Sequence, residues 1–129
     1  MNRLLTLSDV LASHARLKPD AIGVRDSRRE MSFSAWNNRA SRLANGLLAL
    51  GLRKGDRVAV LAFNCVEWME IYAAMARAGL VVVPINFRLT APEVAYILGD
   101  AEARCVIAQT ALTDRVAAPG VAPDLVRIS

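Results

Sequence analysis

The chain has 129 residues, enough for one domain or one well-formed lobe of a larger one. Hydrophobic residues make up 54% and mean hydropathy is +0.30; this fits either a lobe that buries a further face or an Ala- and Val-rich α/β core. The net charge of +4 is scattered, with Arg28-Arg29 and Arg53-Lys54 the only adjacent basic pairs, and aromatics are 5%, which argues against a nucleic-acid partner.

Residues 6–17 carry Leu7, Val10, Leu11 and Ala15 at helical spacing, with Thr6 or Ser8 able to cap and Pro19-Asp20 closing the helix. Residues 21–25 and 30–33 read as two short strands around the turn Asp26-Ser27-Arg28-Arg29. A long helix is expected to start at Ser34, with Trp36, Ala40, Leu43, Ala44, Leu47 and Leu48 on one face and Gly51 as its stop. From Asp56 the rhythm changes to strand–helix alternation. Residues 57–63 (RVAVLAF) form the apolar run of a strand buried on both faces. Asn64 and Glu67 are spaced like a capping pair for the next helix. Glu67, Glu70 and Arg77 share one narrow stripe of that helix, expected to be solvated, and Trp68, Ile71, Tyr72 and Met75 occupy the rest.

Gly79 ends this helix, and residues 80–85 (LVVVPI) make a second buried strand, with pairing weakened at Pro84. Thr90-Ala91-Pro92-Glu93 reads as a capping box for a short helix whose apolar face is Val94, Ile97 and Leu98, before Gly99. Residues 104–108 predict a third strand, 111–118 a short helix, 118–123 a loop and 125–128 a fourth strand. The fold class is therefore α/β, a parallel sheet with flanking helices built from three βαβ units with right-handed crossovers. The chain ends directly after a strand, as a lobe cut from a larger domain would.

Cys65 and Cys105 form neither a CxxC pair nor a disulfide framework, which suits a reducing compartment. Asp9 interrupts the apolar start of the chain, so residues 1–15 read as an amphipathic helix, not a secretory leader. The longest apolar run, residues 79–85, is too short for a membrane span, and a cytoplasmic protein is expected.

Familiar reaction machinery is missing. There is no GxxxxGK[ST], and no glycine between Gly55 and Gly79 to make a GxGxxG turn after the first buried strand. His14, the only histidine, has no nucleophile–base pattern around it, and no GxSxG occurs. Cys65 is read either as a thiol activated at a helix N-terminus or as a small buried side chain at a strand end, the second being favoured. The acidic residues show no metal-ligand spacing, and Trp36 and Trp68 are core anchors. No catalytic residue and no metal ligand is proposed.

The ordered set GDRVAV, N-x-x-E-W, A-x-x-R-A-G and VPIN-x-RLT-x-x-E, within residues 43–107, resembles the adenylate-forming superfamily of acyl-CoA synthetases, luciferases and peptide-synthetase adenylation domains. Residues 6–33 also fit that family's opening helix and strands, so the resemblance spans essentially the whole chain. The wording NFRLTAPEVAYIL is most similar to fatty-acyl or aryl-acid CoA ligases. The resemblance implies that residues 1–129 are an N-terminal subdomain of the adenylate-forming fold. It also implies an AMP-forming ligase that uses a carboxylic acid, ATP and CoA, with Mg²⁺ offsetting triphosphate charge. The family's phosphate loop, adenine and ribose contacts and C-terminal lysine fall later and have no counterpart in these residues, so the 129 residues alone are expected to bind no cofactor tightly and to be inactive. Arg88 matches a position that in some of these ligases lies near the CoA nucleotide phosphate; the other reading is an arginine that pairs with a carboxylate or caps nearby carbonyls. Two alternatives accompany the CoA-ligase reading: a stand-alone interaction or dimerisation module, and an adenylation domain that loads a carrier protein. Oligomeric state is left open: a lobe with apolar area exposed can self-associate, and a homodimer is one such partner arrangement.

Overall fold

The computed structural model describes residues 5–117 and the backbone of residues 126–128. The elements are α1 (Leu7–Leu17), β1 (Ile22–Arg25), β2 (Glu30–Ser32), α2 (Phe33–Ala49), β3 (Arg57–Leu61), α3 (Glu67–Ala78), β4 (Val81–Ile85), α4 (Ala91–Asp100), β5 (Cys105–Ala108), a 3₁₀ helix (Thr110–Arg115) and β6 (Val126–Ile128). The expected loop at 118–123 lies outside the described residues. The chain divides into two compact units: Met1–Lys54 with Asn64–Gly79, and Gly55–Phe63 with Leu80–Ser129. Among the described residues, no helix is long and apolar enough to cross a membrane.

The first unit holds α1, α2, α3 and the antiparallel pair β1–β2. Thr6 caps α1: its hydroxyl accepts from the Asp9 N–H at 3.2 Å, and the Asp9 carboxylate accepts from the Thr6 N–H at 3.0 Å. Helix α2 begins one residue before Ser34, because the Ser32 hydroxyl accepts from the Ala35 N–H at 3.1 Å and serves as its cap. Its buried stripe is Trp36, Ala40, Ala44 and Leu47, whereas Leu48, at the edge of the expected face, is exposed. Leu11, Trp36, Ala40 and Ala73 form one apolar cluster, with Phe33 and Met69 against it. The Trp36 indole N–H donates to the Met69 carbonyl at 2.9 Å, so the ring is buried without orphaning its polar atom. Strand β1 needs its glycine: a Cβ on Gly23 would lie 2.8 Å from the Phe33 ring.

Two expectations for α3 are corrected. Asn64 does not cap it. The helix starts at Glu67 with Val66 in the cap position, and the Val66 N–H donates at 3.0 Å to Asp26 of the β1–β2 turn. A carboxylate brought from another segment meets the positive end of the helix dipole better than a neutral amide nearby in sequence. The Glu67–Glu70–Arg77 stripe, in turn, is not solvated. Glu70 is only 9% exposed and forms a two-point ion pair with Arg39 of α2. Arg77 donates to the Ser8 hydroxyl (2.8 Å), the Ser41 hydroxyl (2.6 Å), and the Asn37 carbonyl (3.1 Å) and side-chain oxygen (2.9 Å). Ile71, Ala73, Ala74 and Met75 of α3 are buried as well, so this helix is covered on most sides and its charges must be paired. Gly79 ends α3 in the left-handed conformation, φ +71°.

The second unit is a four-stranded parallel sheet in the order β4-β3-β5-β6. Strand β3 is paired on both edges, and Val58, Ala59, Val60 and Leu61 have no exposed surface, as the uninterrupted apolar run demanded. Pro84 sits opposite Val60 in the terminal strand β4, where a missing ladder donor is tolerated. One core joins Ala59, Leu61, Ile85, Val106 and Ala108 of the sheet to Val94 and Leu98 of α4, with Leu112 and Val116 closing it. Helix α4 runs through Gly99 to Asp100. The left-handed residue that follows is Glu102, φ +49°, and the Ala103 N–H returns to the Leu98 carbonyl at 3.0 Å. The segment expected as a short helix forms a six-residue 3₁₀ helix.

Candidate functional site

Open parallel sheets present ligand sites at the carboxyl ends of their strands. In this sheet the end of β3 leads to Phe63, the end of β4 to the turn Asn86-Phe87-Arg88-Leu89, and the end of β5 to Gln109. The Gln109 N–H donates to the Leu61 carbonyl at 2.9 Å, and its side-chain oxygen accepts from the Phe63 N–H, also at 2.9 Å. The β4 turn closes on Asn86, whose carbonyl accepts from the Leu89 N–H at 3.1 Å and whose side chain accepts from the Arg88 N–H at 2.9 Å. Phe63 and Phe87 meet edge to face with centroids 4.9 Å apart. Over the Phe87 ring, 5.5 Å from its centroid, lies the guanidinium of Arg88.

Arg88 is exposed, and no ion pair among the described residues includes it. The carbonyl-capping role considered for Arg88 is filled by Arg115. From the end of the 3₁₀ helix, its Nη1 donates to the Phe87 carbonyl and, at 3.1 Å, to the Leu89 carbonyl. Just beyond the turn, the Glu93 carboxylate accepts from the Thr90 N–H (2.7 Å) and hydroxyl (2.9 Å), and these bonds hold it below the usual carboxylate range.

The other candidates assemble nothing reactive. His14 is exposed, with Nδ1 3.0 Å from the Val10 carbonyl and its ring beside Phe33. Cys65 lines an open cleft of about 450 Å³ with Asp26 and Asn64; burial, then the neighbouring Glu67 carboxylate, push its thiol up, so the thiolate is disfavoured. Cys105 is pushed up to about 11 by burial in the sheet. Burial also raises Glu67, but hydrogen bonds from its own backbone, the Cys65 thiol and Arg29 outweigh it and leave the carboxyl lowered. Among the described residues, no group of three or more His, Cys, Asp or Glu side chains could hold a metal ion.

The profile of the AMP-binding enzyme family matches residues 11–128. The chain belongs to that family. A feruloyl-CoA synthase from Amycolatopsis is 41% identical over 104 residues, covering 81% of this chain and 21% of the relative. A Streptomyces coeruleorubidus fatty acid–[acyl-carrier-protein] ligase, ScoC, is 38% identical over 102 residues, covering 79% and 20%. Among solved structures, the N-terminal domain of FACL13 from Mycobacterium tuberculosis superposes with a TM-score of 0.83 at 34% identity, over 96% of this chain and 34% of that one. This chain spans about a fifth of the length of the curated relatives it matches.

In this member of the AMP-binding enzyme family, the sequence pattern singled out Arg88 as a candidate but not Gln109 or Arg115, which the structure places beside it. Gln109 had a readable signal, a polar residue placed directly after a buried strand at its carboxyl end. Arg115 had none, since no spacing relates it to residues 28 and 26 positions earlier.

Proposed function

We propose that these residues are the N-terminal part of an ATP-dependent acid–thiol ligase and contribute to its thiol-substrate site through Arg88. The observation that carries the reading is the family match over residues 11–128 in a chain spanning about a fifth of relatives named for acid ligation. In the reaction class, the acid carboxylate attacks the α-phosphorus of ATP. Pyrophosphate leaves, and the thiol then displaces AMP from the acyl-adenylate. A carboxylate oxygen is a poor leaving group and AMP a good one, which is why the acid is activated first.

The described residues supply no group for the bond-making steps, and the 129 residues alone are expected to form no thioester. No group of three or more metal-ligating side chains lies among the described residues, and no step is assigned to Mg²⁺. They do fit a phosphate at one point. The Arg88 and Leu89 amides are already used inside the turn, so the donors available to an anion are those of the exposed Arg88 guanidinium, supported from beneath by Phe87. That arrangement suits the nucleotide phosphate of CoA. In the whole ligase, Arg88→Ala should raise the KM for CoA about tenfold, the loss of one charge-assisted contact, with the KM for ATP unchanged. An unchanged KM for CoA dismisses the role.

A carrier-protein thiol is the second reading, favoured by the likeness to ScoC. In that case Arg88→Ala leaves turnover with a carrier-bound thiol unaffected, and the wild-type ligase prefers the carrier to CoA.

A further inference from the structure

We infer that Arg115 is a positioning residue for the phosphate contact: it holds the Asn86–Leu89 turn by its carbonyls and so keeps the Arg88 guanidinium presented to a ligand. The inference rests on the reading of Arg88 given above. Phe87 and Leu89 flank Arg88, and their carbonyls are the acceptors nearest to it in the chain. Left unsatisfied, they would draw the Arg88 side chain back onto its own turn. Arg115 bonds both from a single nitrogen. It can do so because its backbone is anchored: Leu112 and Val116 on either side are each 2% exposed and belong to the sheet core. The same segment fixes the neighbouring aromatic, since Gln109 holds Phe63 by its backbone N–H. Two side chains from the strand β5 exit thus brace both loops that form the Phe63–Phe87–Arg88 ledge. A second permanent positive charge on the turn also favours an anionic ligand over a neutral one.

The test uses the ¹⁵N-labelled 129-residue chain with adenosine 3′,5′-bisphosphate as the probe. In the wild type, the probe should shift the Arg88 side-chain and backbone signals saturably. Arg115→Met should speed hydrogen exchange at the Leu89 amide about tenfold and weaken probe affinity about fivefold, as expected for losing a charge-assisted bond pair, with the β3 amides unaffected. Arg115→Lys keeps the charge and one donor group, and should recover part of both losses; it also serves as the readout if the Met variant does not fold. Unchanged Leu89 exchange overturns the role of Arg115 whatever the probe does. Faster exchange with unchanged affinity overturns it too, because Arg115 would then brace a turn that binding does not use. A wild-type chain that ignores the probe overturns the phosphate reading of Arg88 itself, and with it the positioning role.

Discussion

In the unit built from α1, α2 and α3, helices are joined by charge: Arg39 grips Glu70, Arg77 gathers Ser8, Asn37 and Ser41, and Asp26 reaches the start of α3. In the sheet unit, four consecutive residues of β3 are buried without a polar side chain among them, and arginine appears at the margins, as Arg57 on the Ala101 carbonyl and Arg115 on the β4 turn. Apolar burial is indifferent to direction and tolerates volume-conserving exchange, whereas charge pairing requires particular atoms to meet. The first unit is therefore specified by a few residues and the second by an average property of many.

The largest effect should come from the sheet. Leu61→Ala removes a side chain with no exposed surface from the core and should cost about 3 kcal/mol of unfolding free energy, read by urea denaturation followed at 222 nm. Both tryptophans, Trp36 and Trp68, lie in the helical unit, so their fluorescence is an independent probe of it. A fluorescence transition that moves together with the sheet would merge the two units into one cooperative body; one that stays put keeps them apart.

A smaller loss is expected in the helical unit. Arg77→Met preserves the apolar stem but leaves the Asn37 side-chain oxygen and two hydroxyls without their donor, at a cost of about 2 kcal/mol. A cost near zero in thermal melts would mean that water replaces the guanidinium freely and the charge network does not specify the unit.

The smallest effect is at Asp26, which is half-buried. Hydrogen bonds from the Arg28, Arg29 and Val66 amides hold its carboxyl below the usual value. A lowered folded-state pKa means that its contribution is complete above the ordinary carboxylate range and is lost as pH falls through the lowered value. Asp26→Asn should therefore melt below the wild type at neutral pH, with the difference shrinking as pH falls through the lowered value. A difference that grows in acid contradicts the assignment.

Much of the sheet unit was legible in the sequence. RVAVL, VVVPI and CVIA are short apolar runs punctuated by Gly79, the Thr90–Glu93 box and helical spacing, and all four strands fall within two residues of where pattern placed them. At the candidate site, the position of Arg88 just past β4 was legible from the apolar run before it and from its motif. The errors concentrate in polar residues. Asn64 has the spacing of a cap, yet Asp26 takes the role from 40 positions away. Glu67, Glu70 and Arg77 make a helical stripe that reads the same whether it faces water or a partner helix.

Periodicity records how often a side chain avoids water. For this protein that was enough to determine the element order and the parallel α/β architecture, while the family was legible only through the ordered motifs between residues 55 and 93. Which donor meets which acceptor across distant segments depends on distances that only the folded chain sets. Arg39 finding Glu70, Asp26 finding the Val66 amide and Arg115 finding the two carbonyls beside Arg88 were decided there, because hydrogen bonds act over about 3 Å and, unlike the local Thr90–Glu93 box, bonds between distant segments carry no trace in residue spacing.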